Sequence, residues 1–176
     1  VALLQPTWRI RFWPSLFHAL IAWGFLSYLL VNLGDVLEAY IPNYRFLGSG
    51  MVGTVYRLLA DLLSVGVLTG MAAMLIRRFI LKSEALRVRE EVLLHPKARA
   101  GIRRDSAIVG GFILLHVGAR FLGSSFAVAQ EGGADAWRPF ASLVANLWVG
   151  MSETALIIGE HLGFWLALGA ILGFIP

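Results

Sequence analysis

The sequence predicts an all-α fold, an integral membrane four-helix bundle with an additional interfacial helix. Three observations carry this. Of 176 residues, 58% are hydrophobic and 15% are charged, where soluble domains hold about 45–50% and about 25%. Mean hydropathy is +0.73. The apolar residues gather in runs that reach the roughly 20 residues of a membrane span. A soluble globular enzyme does not fit this balance, and a disordered chain would need few apolar residues and high charge. The runs do not alternate in segments of about 10 residues, as a transmembrane β-barrel would require.

The first span is expected at about residues 12–34, which hold no Asp, Glu, Lys or Arg. This run exceeds the roughly 7–15 residues of a signal-peptide core, and no small-residue cleavage site follows it. Residues 46–76 are apolar apart from Arg57 and Asp61, and place a second span at about 52–76. Residues 106–130 are interrupted only by Arg120, giving a third at about 106–128. Residues 139–176 are interrupted only by Glu153 and Glu160. At about 1.5 Å per residue that stretch is too long for one span. Splitting it near Gly150 gives an interfacial helix over 139–149 and a fourth span at about 151–175. Residues 1–176 are expected to form a single membrane domain. The start at Val1 and the stop at Pro176, directly after an apolar run, suggest a fragment of a longer polypeptide.

The net charge is +4 and the pI is about 10.0. The basic residues concentrate between the second and third spans: Arg77, Arg78, Lys82, Arg87, Arg89, Lys97, Arg99, Arg103 and Arg104. Arg9 and Arg11 precede the first span. The other two connections hold Arg45 and Arg138 beside acids Asp35, Glu38, Glu131 and Asp135. By the positive-inside rule both termini and the basic loop face the cytoplasm. Trp8, Trp13, Tyr40, Tyr44, Tyr56 and Trp137 fall near expected helix ends, as an interfacial aromatic belt would. Charge confined to one loop between apolar runs fits a membrane surface and not nucleic acid. That loop sets orientation or, alternatively, docks an anionic partner.

There are no cysteines. That excludes disulfides, covalently attached haem and any iron–sulfur cluster ligated by this segment. Three of four histidines fall inside spans: His18, His116 and His161. Ionisable groups inside a bilayer are functional candidates by default, and a neutral imidazole is a common axial ligand of haem iron. The bland reading is a hydrogen bond to a neighbouring helix. At about 1.5 Å per residue, His116 and His161 lie about 5–8 Å apart in level, with His18 too far down to join them. His95, before Pro96, reads as ordinary loop. Arg120, one turn beyond His116, and Arg57 are candidates for haem propionates, since an arginine fork binds carboxylates well. Arg57 could instead pair with Asp61 at i,i+4. Asp61, Glu153 and Glu160 could serve a proton path to a quinone or partner an arginine. Gly66-x-x-x-Gly70 and Gly159-x-x-x-Gly163 are small-xxx-small patterns that let helices approach.

Several stretches resemble a known membrane domain. They are Leu3-Leu4-Gln5, Arg9, Arg11 and His18-Ala19-Leu20-Ile21-Ala22-Trp23-Gly24-Phe25. To these add Arg77-Arg78 and the ending His161-Leu162-Gly163-Phe164-Trp165 … Gly173-Phe174-Ile175-Pro176. They resemble the nitrate-reductase gamma-subunit-like domain of heterodisulfide-reductase-like iron–sulfur oxidoreductases, a group that includes electron-transfer-flavoprotein:menaquinone oxidoreductases. The resemblance implies a multi-pass protein of a prokaryotic cytoplasmic membrane. It implies one or two b-type haems, with His18 and His161 as ligands and His116 a looser match. It also implies electron exchange between menaquinone and a cytoplasmic iron–sulfur domain or subunit, or an electron-transfer flavoprotein. The segment departs from that group in lacking its first helix, the histidines after the final proline and the cluster cysteines. A haem-free membrane anchor or assembly subunit is the alternative. A small transporter ranks last, since no internal symmetry or pair of broken helices is evident.

Overall fold

The computed structural model describes residues 12–42, 44–84, 92–93 and 95–174. Val1, Leu3, Leu4, Gln5, Trp8, Arg9, Arg11, Arg87, Arg89, Ile175, Pro176 and the side chain of Arg99, all used above, lie outside the described residues. The chain is an all-α membrane bundle. Its helices are α1 (Phe12–Tyr40), α2 (Met51–Leu75), α3 (Pro96–Gln130), α4 (Pro139–Ala145) and α5 (Glu153–Phe174). A π-helical turn, Ile76–Ile80, extends α2, and a 3₁₀ turn, Asn146–Trp148, extends α4. The four long helices are each long and apolar enough to cross a membrane.

Two expected boundaries move. α1 continues past residue 34 to Tyr40, so Asp35 and Glu38 are helical, not loop. Both carboxylates are satisfied there: Asp35 by Arg120, and Glu38 by the Phe46 N–H at 2.7 Å. The helix ends two residues before Pro42, whose ring disfavours helical backbone in the preceding residue. α3 begins at Pro96, ten residues before 106, and takes Lys97, Arg103 and Arg104 into the helix. Proline suits the first helical position because it lacks an N–H that would go unpaired. His95 is its N-cap, Nδ1 accepting from Lys97 N–H at 3.3 Å. At the far end the Gly133 N–H reaches Val128 O and the Gly132 N–H reaches Ala129 O. Gly132 has φ +112°, the left-handed residue this closure uses.

The chain runs up, down, up, down. α1 packs on α2, α2 on α3, and α3 most extensively on α5. Both glycine patterns lie in these seams. A Cβ on Gly163 would stand 2.7 Å from Ala119 O and from Gly123 Cα, so α3 and α5 touch backbone to backbone. Gly70 is similarly close to the carbonyl of Phe17, 3.2 Å from where its Cβ would be. The connections 41–50 and 131–152 share one end, tied by Arg45–Glu131 at 3.4 Å. This is called the loop end below. The opposite end carries Arg77, Arg78, Arg103 and Arg104.

α4 turns back into the loop end. Ala141 and Ala145 are fully buried with Val128. Trp148 stacks on Phe126 and donates to Ser125 Oγ at 2.9 Å. Leu143, Leu147 and Val149 stay exposed, as an interfacial helix would leave them for lipid. A short helix thus occupies the stretch expected for an interfacial one, as Pro139–Ala145 followed by the 3₁₀ turn Asn146–Trp148. Tyr40, Tyr44, Trp13 and Trp137 are exposed near helix ends, but Tyr56 is not a belt residue: its ring packs edge-on to Phe46 and against the core.

Candidate functional site

Because α1 and α5 are the outer members of the row, a cleft opens between them, floored by α2 and α3. Its volume is about 920 Å³, within the usual size of cofactor pockets, about 300–1,000 Å³. α3 contributes His116, Arg120, Gly123 and Ala127, and α5 contributes His161, Phe164, Leu168 and Ile171. Both sets follow helical spacing, so each is one stripe of its helix.

His116 is 6% exposed and held on three sides. Its ring lies nearly parallel to Phe112 at 6.0 Å and edge-on to Tyr28 at 5.7 Å. Its Nδ1 is 2.9 Å from Ala167 O on α5. A carbonyl only accepts, so Nδ1 carries a proton, and in the neutral ring Nε2 is then the atom with the lone pair. That Nε2 is buried and has no hydrogen-bond partner among the described residues. Tyr28 is itself fixed, its hydroxyl 2.7 Å from Ser64 Oγ. Ser64 gives its own proton to Ala60 O at 2.6 Å, so Tyr28 is the donor between them.

His161 also lines the cleft, on its exposed wall. Its Nδ1 donates to Ile157 O at 2.8 Å, which in the neutral ring again leaves Nε2 as the acceptor. It sits six residues before Ala167, about 9 Å along α5. The level gap to His116 therefore exceeds the 5–8 Å read from sequence. His18 is exposed and does not line the cleft. It lies ten residues before Tyr28, about 15 Å down α1, so His116 and His161 share the cleft at different levels and His18 lies apart. Among the described residues no group of three or more His, Asp or Glu could hold a bare metal ion.

Arg120 is placed in the cleft, but its fork is engaged. Nε and one terminal nitrogen donate to the two oxygens of Asp35 at 2.6 and 2.8 Å. Arg57 does not pair with Asp61; it donates to Gly48 O at 3.2 Å. The Asp61 carboxylate is buried and accepts from Phe140 N–H at 2.8 Å and Ala141 N–H at 3.0 Å. It therefore anchors the start of α4, where free helical N–H groups favour an anion. Glu160 accepts from Gln130 Nε2 at 2.7 Å.

Over the cleft mouth, Arg138 donates to Glu131 and, at 2.7 Å, to Asp135. Burial alone would push the Asp135 carboxyl up, but the Arg138 bond and the Trp137 N–H hold it below its ordinary 3.8. A carboxylate depressed in the folded state contributes stability above its unfolded pKa and loses it as pH falls through the folded one. The unfolding midpoint is therefore expected to drop as pH is lowered below that ordinary value. Asp135→Asn should flatten this drop; a profile identical to the parent's would remove Asp135 from the acid response.

Sequence reading missed Asp35, Tyr28 and Ser64 as parts of the site. Tyr28 and Asp35 are seven residues apart on one face of α1, the available signal. Comparison with protein-family models, with curated proteins and with solved structures gave no match.

Proposed function

We propose that the chain is a membrane electron-transfer domain that would hold b-type haem in the α1–α5 cleft, with His116 as a residue that would ligate it. One observation carries this: a buried imidazole among the lining of a cofactor-sized cleft, whose Nδ1–H is fixed by a backbone carbonyl and whose Nε2 has no hydrogen-bond partner among the described residues. Metal-ligating histidines almost always hold their second nitrogen this way. Bound haem supplies one-electron redox chemistry. The chain's own part is to fix the imidazole tautomer, exclude water around Nε2 and keep an ionic group, Arg120–Asp35, near the cleft. His161 has the same tautomer but a different level, so the residues fit two separate single ligands better than one clamp. His18 would need a partner from outside residues 12–174. In this reading the basic end faces the cytoplasm of a prokaryote and an iron–sulfur or flavoprotein partner, and menaquinone exchanges electrons within the bilayer.

The test is a dithionite-reduced minus oxidised spectrum of the purified protein, with haem counted per chain. A b-type α-band that His116→Ala removes is expected. A folded preparation without haem, or a spectrum unchanged by that substitution, would overturn the assignment. The second reading is a haem-free anchor for a partner complex. It is favoured by Arg120, whose fork is already filled by Asp35 and so is not free for a propionate.

A further inference from the structure

At the basic end, α2 winds through its π-helical turn beside α3. There Leu75, Ile76, Phe79 and Ile80 face Ala107 and Gly111 across an apolar groove of about 270 Å³. Gly111 keeps it open: a Cβ there would meet nothing within 4 Å. Gly110, beside it, is where the helices do close, with Leu75 2.7 Å from its would-be Cβ. Ile76 and Ile80 are 45% and 71% exposed, so the groove looks onto lipid. Arg103 lies on the same stripe of α3 as Ala107 and Gly111, at successive i,i+4 steps. Its guanidinium carbon is 5.8 Å from the centre of the Phe79 ring. A fixed positive charge thus stands at the interfacial end of a hydrocarbon-lined slot.

We propose that this groove is a binding site for an anionic phospholipid, with an acyl chain along Phe79, Ala107 and Gly111 and the headgroup phosphate on Arg103. Lipid tails are as apolar as the groove, so filling it does not by itself select a lipid. Selection comes from the headgroup, because basic pockets between helices near the surface favour anionic lipids. Arg77 and Arg78 leave the same π-helical turn and add to the positive field. The inference is independent of the haem reading.

Native mass spectrometry of the detergent-solubilised chain tests it, with phosphatidylglycerol, phosphatidylcholine and inorganic phosphate as probes. Phosphatidylglycerol is expected to be retained about fivefold better than phosphatidylcholine, the scale of one basic residue near a membrane surface. Arg103→Gln and Gly111→Leu should each abolish the preference. Arg104→Gln removes the same charge from a side chain 78% exposed and paired with Asp105, and should keep it. Equal retention of both lipids by the parent chain overturns the proposal. So does a preference that survives Arg103→Gln or a folded Gly111→Leu, or one that Arg104→Gln abolishes equally. Displacement of the lipid by millimolar phosphate would mark a plain anion site and overturn it too. Helicity by circular dichroism verifies each variant; should Gly111→Leu not fold, Arg103→Gln against Arg104→Gln decides.

Discussion

Replacing Gly163 by leucine is expected to detach α5 from α3. The seam has no room: even a first side-chain carbon would lie 2.7 Å from Ala119 O and from Gly123 Cα, and 2.8 Å from Gly123 N. These are backbone atoms of a continuous helix and cannot turn aside. Overpacking a tight core costs about 1–3 kcal/mol, occasionally more; with backbone on both sides we expect about 3 kcal/mol or more. The loss reaches the site, because Ala167, one turn on, carries the carbonyl that holds His116. Gly169→Leu adds the same bulk to the same helix where a Cβ meets nothing within 4 Å, and should be near neutral. Thermal unfolding in detergent compares the two. Equal midpoints would show that the α3–α5 seam does not hold the bundle together.

Replacing Asp35 by asparagine is expected to destabilise the protein by about 3 kcal/mol, the lower end for breaking a buried ion pair. The cost arises from the survivor. Arg120 keeps its charge inside a membrane span, with side chains at this pair only 18% and 24% exposed, and the asparagine amide carries no charge to offset it. Removing both, as Asp35→Leu with Arg120→Met, should recover most of the loss, since a buried pair is worth little over apolar residues of similar volume. A double variant as unstable as Asp35→Asn would mean that the pair has a packing role beyond charge. Unfolding midpoints of the three variants and the parent settle which holds.

Hydropathy located the four long apolar helices among the described residues, because apolar runs of that length have few other fates, and Gly150 falls at the break before α5. The ends of α1 and α3 were less legible. Charged residues end an apolar run without ending a helix, so the pattern puts Asp35, Glu38 and Arg103 in connections where the chain is in fact helical. Pro42 and Pro96 were the better signals, one forbidding continuation and the other suiting a start. His116 and Arg120 stood out as ionisable residues in a span. Their partners did not, because the Ala167 carbonyl is available in any sequence and Asp35 lies 85 residues from Arg120. Asp61 was visible as an embedded acid, yet its partners are backbone N–H groups of α4, and periodicity carries no record of those.

The positions of Asp35 and Asp61 also have a consequence in time. Asp61 waits 79 residues for Phe140, and Asp35 waits 85 for Arg120. At about 5–20 residues per second of synthesis, each carboxylate stays unmatched for roughly 4–17 s after it is made. A lone carboxylate is not held charged in hydrocarbon; it takes up a proton or stays at the surface. The first two helices are therefore an unfinished pair until the second half of the chain brings a guanidinium and a helix start to neutralise them.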